Sequence, residues 1–375
     1  MVDIASKILF HDRVRFAITV SGVAFAVALV FVQTGLFSGL LQSATVTIDR
    51  ADADFWVTSH NTANVDFAIP FSDHAVQRVR SIPGVERADN LIVWFLRISL
   101  PTGATEGLLV YALEDFQKWN LPWRVEEGDL DDLRRGRFLF LDESARRRFG
   151  GYQVGEFREV LDRRLQIVGR TSEAKSFTTT PIAFMDFHLA QELDPANLAG
   201  RTTYILVKLR PGADALAVQT EISRRLPYND VHTRKDWARV SRGYWVDSTG
   251  IGLNMYLTVF LGCLVGVVVV AQTLYTSVMD HFKEFATVKA IGGSNWDIYG
   301  IIAKQAVIAA VAGFAVGSAL CLAIRPAMAG IGLTLQIEPR FATIVFAGTV
   351  GLCLMASTLS FRKIASMDPA MVFRG

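Results

Sequence analysis

The residues best suited to chemistry in this 375-residue chain are its carboxylates. Asp129, Asp131 and Asp132 sit close together, as do Asp142 and Glu143. Two carboxylates facing each other across a cleft could divide general acid and base work. Nothing in the spacing sets these across a cleft; a solvated acidic loop and a helix N-terminus account for them better. No Ser/His/Asp or Cys/His motif of recognised local chemistry occurs, and the six histidines are scattered without metal-ligand spacing. Cys263, Cys321 and Cys353 all lie in apolar stretches, which argues against a disulfide framework or a metal site. The pattern G-x-x-x-x-G-K-[ST] is absent, as is any Gly-Lys dipeptide. Without that phosphate-cradling loop the chain is not expected to grip or hydrolyse ATP by itself. A net charge of +2, from 38 basic and 36 acidic residues, gives no reason to expect nucleic acid as a partner.

The more informative spacing is in a short stretch, residues 280–294. Phe282, Phe285, Val288 and Ile291 recur every three residues, with Lys283, Glu284 and Lys289 off that stripe. This is the pattern of a short amphipathic helix. Gly292-Gly293 is a suitable stop, because glycine takes the left-handed conformation at a helix end. Ser294, three residues before Asp297, resembles the start signal of a following helix. An interfacial helix that merely anchors the connection accounts for this pattern as well as a contact element for a cytoplasmic partner does. A second amphipathic piece, Ile4–Phe16, falls in the same pattern and reads more simply as an anchor.

What positions that stretch is a set of membrane spans. The chain is 51% hydrophobic and only 20% charged, with a positive mean hydropathy. A bilayer core takes about 20 apolar residues in helical form. Four stretches reach that length: 16–41 and 251–279, both uncharged, then 298–324, cleanest from Gln305 to Ile324, and 341–361. The first is too long for the apolar region of a cleavable signal and is expected to stay as an anchor. Lys7, Arg13 and Arg15 precede it; Lys283 and Lys289, with Lys304 at the edge of the third span, follow the second; Arg362, Lys363 and Arg374 are in the tail, 362–375. Arg325 and Arg340 lie on the other side, and the bias puts both termini in the cytoplasm of an inner-membrane protein. Gln33, Asn254, Gln272 and Gln305 are polar but not ionisable, which argues against an ion-coupled pathway, and Lys304 most simply snorkels to the surface.

Residues 49–246 are mixed in character and are expected to form an extracytoplasmic domain. Asp54–Thr58 and Ile92–Leu100 read as strands, with a helix over Ser72–Ser81 between them. The same order returns later: a strand at Thr203–Leu209, a helix at Ala213–Leu226 with Leu216, Val218 and Ile222 on one side, and a short strand at Asp230–Thr233. The two halves, about 50–100 and 201–235, could pair into one α+β lobe, with about 101–200 inserted as a second, strand-rich lobe. Within the insert, Phe138–Leu141 and Leu165–Val168 read as strands and Asp142–Phe149 as a short helix.

This layout resembles the permease subunits of MacB/FtsX-type ABC systems: one span, a large outer domain, three more spans. The stretch Lys283-Glu284-Phe285-Ala286-Thr287-Val288-Lys289-Ala290-Ile291-Gly292-Gly293 is similar to the coupling loop of that family. Gly22-Val23-Ala24-Phe25-Ala26-Val27 and the ending Asp368-Pro369-Ala370-Met371-Val372-Phe373-Arg374-Gly375 look like its DevC-like branch. The resemblance implies a porter-like lobe from the two halves and a Sabre-like lobe between them. It implies a non-catalytic subunit, with ATP and Mg bound by a separate dimeric ABC ATPase, because the fused N-terminal ATPase of MacB has no counterpart here. It further implies a permease homodimer in membrane lipid, with Phe282, Lys283, Glu284, Phe285, Val288, Lys289, Ile291 and Gly292 in the ATPase-coupling element. A DevC-like role adds a periplasmic adaptor (membrane fusion protein) and an outer-membrane channel. The expected function is mechanotransmission-type export of a lipidic or amphipathic substrate. An FtsX-like scaffold that activates a cell-wall hydrolase, a lipoprotein-release permease and, least of all, a membrane-bound enzyme are the competing expectations.

Overall fold

The structure, a computed structural model, describes residues 12–365 apart from Thr179, Phe282, Lys283, Phe285, Ala286, Val288, Ala290, Ile291, Ile331 and Gly332. Most of the amphipathic piece read at Ile4–Phe16, and the tail from 366 onward, lie outside the described residues. The chain divides into two compact units, Leu40–Ile251 and the residues on either side of it.

In chain order the principal elements begin with helix α1 (Arg13–Ser43), strand β1 (Phe55–Ser59), α2 (Ala75–Arg80), β2 (Val85–Ser99), β3 (Thr105–Leu113), β4 (Val125–Glu127) and β5 (Phe138–Asp142). They continue with α3 (Ala145–Phe149), β6 (Phe157–Val160), β7 (Arg163–Thr171), β8 (Ile182–Asp186), α4 (Phe187–Leu193), β9 (Tyr204–Leu209), α5 (Ala215–Arg225), β10 (Asn229–Thr233) and α6 (Arg234–Gly243). Three long helices follow: α7 (Ile251–Asp280), α8 (Asn295–Gly330) and α9 (Pro339–Ala365).

The unit Leu40–Ile251 is built on one ten-stranded sheet in the order β10-β1-β9-β2-β3-β8-β5-β7-β4, with β6 paired to β2 and β7. The first four strands carry α2 and α5 as their crossovers, the split β-α-β arrangement that two strand–helix–strand halves produce when they interleave. Alternation along β1 explains why both of its faces are buried. Phe55 and Val57 pack with Val76, Val79 and Ile82 of the α2 segment and Val218 and Ile222 of α5. Trp56 faces the other way, into a cluster with Tyr204, Leu206 and Trp237. Leu216 does not share the stripe of Val218 and Ile222: it is 72% exposed. At 100° per residue it stands about 200° from Val218, on the far side of α5.

The sheet does not stop where the inserted lobe begins. Strand β2 is fifteen residues long. Val85–Leu91 pairs with β9, and Leu91–Ser99 pairs with β3. One strand therefore belongs to both lobes. The insert adds parallel pairs, β3 with β8 and β5 with β7, that the first four strands lack. Its core, including Leu139, Leu141, Phe149, Ile167 and Phe187, lies on one face of those strands.

Among the described residues the other unit contains four helices long and apolar enough to cross a membrane: α1, α7, α8 and Pro339–Thr358 of α9. Helix α8 runs to Gly330, past the expected end at Ile324, with Arg325 on it and Pro326 inside it. A proline there removes one backbone bond, which a membrane helix tolerates without ending. Small residues set the packing. A Cβ on Gly266 would lie 2.8 Å from Ala26, one on Gly262 2.8 Å from Leu29, and one on Gly313 2.5 Å from Val23. One on Gly317 would lie 2.7 Å from the Ala24 carbonyl oxygen. Both pairs are G-x-x-x-G, so α7 and α8 each press a glycine notch against α1. Helix α1 is also pinned to the approach to α9, where Gln336 N–H donates to the Gly35 carbonyl at 3.1 Å.

Candidate functional site

The stretch between α7 and α8 is helical wherever it is described in its middle: Glu284, Thr287 and Lys289. Glu284 is exposed and Lys289 half-buried. Phe282, Lys283, Phe285, Val288 and Ile291 lie outside the described residues. Gly292 takes a left-handed φ of 99°, and its N–H donates to the Lys289 carbonyl at 3.2 Å. That conformation is costly for any residue with a Cβ, so the glycine ends the helix. A reciprocal cap then starts α8. The Ser294 N–H and hydroxyl both donate to Asp297 Oδ2 at 2.8 Å, and Asp297 N–H donates to Ser294 Oγ at 3.2 Å. The α8 end of the connection is thus fixed by short-range bonds.

Glu284 Oε1 stands 3.3 Å from His281 Nδ1, one helical turn back. Its carboxyl is held below the usual carboxylate range, first by its own backbone N–H and then by His281. The side chain offered outward at neutral pH is therefore an anion.

Two features at this end of the helices escaped sequence reasoning. Arg15, counted only as a topological charge, pairs with Asp280, the last residue of α7, at 2.5 Å, and with Asp12 at 3.4 Å. It ties α1 to the residue from which the connection departs. Trp296 is 79% exposed at the start of α8, while Tyr299 meets Phe361 of α9 edge-on at 5.4 Å. Exposed aromatics at this position are typical of a membrane–water boundary. An acidic residue ending an apolar run, and a Trp and Tyr three apart just after a cap, were the available signals.

The acidic residues of the other unit have structural work. Asp129 caps a short 3-10 turn by accepting the Asp131 N–H at 3.0 Å. Asp142 is not at a helix N-terminus: β5 ends on it, and α3 begins at Ala145. It is buried and accepts the Ser144 hydroxyl at 2.6 Å, the Ala174 N–H at 2.8 Å and the Thr171 hydroxyl at 3.2 Å. Burial raises its pKa against those donors. Neighbouring Glu143 is exposed, with Arg146 at 3.9 Å. The two carboxylates share no cleft.

Comparison with known proteins covers nearly the whole chain. Residues 16–225 match the MacB-like periplasmic core domain, and residues 256–369 match the FtsX-like permease C-terminal domain. An uncharacterized ABC transporter permease of Mycobacterium bovis is 26% identical over 366 residues, 97% of this chain and 96% of the relative. Another, of Mycobacterium tuberculosis, is 25% identical over 368 residues, 96% of each. Among solved structures, the periplasmic region of MacB from Actinobacillus actinomycetemcomitans aligns with a TM-score of 0.39 and 11% identity, over 50% of this chain and 92% of that one. The extracellular domain of the noncanonic ABC-type transporter YknZ from Gram-positive bacteria gives 0.38 and 12%, over 48% and 99%. With a MacB-like core between the first and second of four span helices and an FtsX-like domain over the last three, this chain belongs to the MacB/FtsX-type ABC transporter permeases.

Proposed function

We propose that this chain is the force-transmitting permease subunit of an ABC exporter. A separate ATPase dimer binds ATP and Mg²⁺ beneath two copies of the chain, whose termini lie in the cytoplasm. The helix between α7 and α8 seats in the ATPase, and closure of the ATPase pushes it. Because that helix joins two spans directly, its displacement is passed along α7 and α8 to the outer domain. In this reading the substrate is lipidic or amphipathic and is taken from the outer leaflet or the periplasm. A DevC-like assembly completes the path with a periplasmic adaptor and an outer-membrane channel. The absence of a phosphate-cradling motif from the sequence supports a partner as the site of hydrolysis.

The observation that carries this reading is the connection itself. A slack loop would absorb displacement. Here the described residues form a helix stopped by left-handed Gly292 and followed at once by the Ser294–Asp297 cap. Glu284 stands exposed on it as an anion, suited to a basic site on the partner. Phe282, Phe285, Val288 and Ile291 supply the apolar contacts, and Lys283 and Lys289 flank them.

Affinity capture of the detergent-solubilised protein with mass spectrometry tests the assembly. An ABC ATPase recovered with an adaptor supports the exporter. An ATPase with a cell-wall hydrolase favours the signalling scaffold instead, and no ATPase after crosslinking removes the ABC reading. With the ATPase in hand, Glu284→Arg is expected to abolish stimulation of ATP hydrolysis by the permease while leaving insertion and folding intact. Unchanged stimulation would remove Glu284 from the contact.

A further inference from the structure

The unit Leu40–Ile251 holds a buried aromatic cluster where its two membrane connectors meet. Leu40, Leu41 and Ala44, at the end of α1, pack with Tyr244, Trp245 and Ile251 on the approach to α7. Phe177 completes the cluster, and it comes from the inserted lobe, on the loop between β7 and β8. Phe177 and Trp245 lie face to face, with centroids 4.0 Å apart at 12°. Phe67, on the loop after β1, leans on Trp245 at 5.8 Å and meets Tyr244 edge-on at 6.0 Å. Trp245 stands in a π-helical turn, Tyr244–Ser248, an uncommon geometry that recurs at functional sites. Arg242 joins the connectors by a polar route, donating to Thr45 Oγ1 and Asp49 Oδ2, each at 2.7 Å.

The loop bearing Phe177 is an arm held at its root and at its tip, with Arg148 of α3 also donating to Thr180 Oγ1 at 3.2 Å. At its root, Ala174 N–H donates to Asp142, and Ile182 N–H donates to the Ala174 carbonyl at 3.1 Å. Displacement of the arm therefore reaches β5 and β8 directly. At its tip, the Phe177 backbone N–H faces the carboxylate of Asp66, the neighbour of Phe67. Asp66 is 4% exposed, and its Oδ2 has no hydrogen-bond partner among the described residues. The titratable groups that face it are Tyr111 on β3 and Tyr204 on β9, both buried, neutral phenols, and among the described residues no cation does.

We infer that Asp66 is a positioning residue for force transfer: it holds Phe177 against Trp245, and that stack is where displacement of the two connectors enters the inserted lobe. The inference rests on the force-transmitting reading given above. A carboxylate in a dry site is costly in its charged form. Burial raises the pKa of Asp66 to about 7. The closed arm therefore keeps Asp66 protonated below neutrality, and ionisation above it favours an opened arm in which the carboxylate meets water. Relative to an open state with an ordinary aspartate, opening is expected to become about ten-fold more favourable from pH 6 to pH 8.

The test is hydrogen-exchange mass spectrometry on the full chain in lipid nanodiscs, with and without the copurifying ATPase and a non-hydrolysable ATP analogue. Protection of residues 172–181, corrected for intrinsic exchange, is expected to fall about ten-fold from pH 6 to pH 8 in the wild type and to stay level in Asp66→Asn, which keeps an acceptor for Phe177. Nucleotide is expected to alter protection in both connectors and in β5 and β8; Phe177→Ala should keep the first response and lose the second. A pH response that persists in Asp66→Asn overturns the role of Asp66, and an inserted-lobe response that survives Phe177→Ala overturns the role of the stack. Connectors that ignore nucleotide in the wild type overturn the force-transmitting reading itself, and the stack's role with it.

Discussion

The spans of this protein enter non-membrane structure at two places, and the two are built on opposite plans. Between α7 and α8 the bonds that shape the connection are local. Glu284 reaches back three residues, Gly292 reaches back three, and Ser294 and Asp297 cap each other. At the other end the bonds are long-range. Arg242 grips Asp49 across 193 positions, and Trp245 stacks on Phe177 with 5% of its surface exposed. The first place is a shaped element that leaves Glu284 exposed as an anion. The second is already complete within the chain. The force-transmitting role proposed above calls for that asymmetry: one place open to engagement, the other closed within the chain.

The contrast can be broken most forcefully at Trp245. Its indole nitrogen makes no hydrogen bond among the described residues, so what it contributes is packing. Trp245→Ala is expected to cost about 3–5 kcal/mol in chemical denaturation of the full chain in detergent. A loss below about 1 kcal/mol would mean that the upper junction is no more integral than the lower one.

The next effect in size is the pH dependence from Asp66. Its folded pKa of about 7 lies above the ordinary 3.8. The folded state therefore binds the proton more tightly, and this group's contribution to stability falls as pH rises from about 4 to about 7. Between pH 5 and pH 8 the wild type is expected to lose about 2–3 kcal/mol relative to Asp66→Asn. Parallel stability curves for the two proteins would refute this. Arg242→Ala should cost less, about 1 kcal/mol, because Arg242 and Asp49 are each 43% exposed and solvent screens the pair. Smallest of all is the effect of Glu284→Arg on stability, within about 0.5 kcal/mol by the same denaturation, even as the proposed coupling to an ATPase is lost. A large stability loss there would make the lower element structural and erase the contrast.

What the sequence made legible follows the same division between local and long-range. The spans showed as apolar length, the Ser294–Asp297 cap as a three-residue spacing, and the two strand–helix–strand halves as changes of period. Where the reading went astray, a local rule was outvoted. Leu216 looked like a core residue until the helical phase was set by Val218 and Ile222. Asp142 looked like a helix start, but four donors from three segments make it a buried staple. The extension of β2 onto β9, and the meeting of Phe67, Phe177 and Trp245, depend on partners about 70 to 180 positions apart. No period or spacing encodes those. The glycine pairs of α7 and α8 went unread in the sequence, and only the fold shows that both are spent on α1.

That last feature bears on how the protein is made. Helix α1 leaves the ribosome well ahead of the notches that clasp it: Gly262 and Gly266, Gly313 and Gly317 are synthesised more than 200 residues later. At roughly 5–20 residues per second, α1 waits on the order of ten seconds or more before either partner exists. During that interval its stretch 16–41, without a single charge, must keep it in the lipid alone. Until then α1 is a solitary helix held by solvation, and its tertiary lock closes only once α7 and α8 have been synthesised.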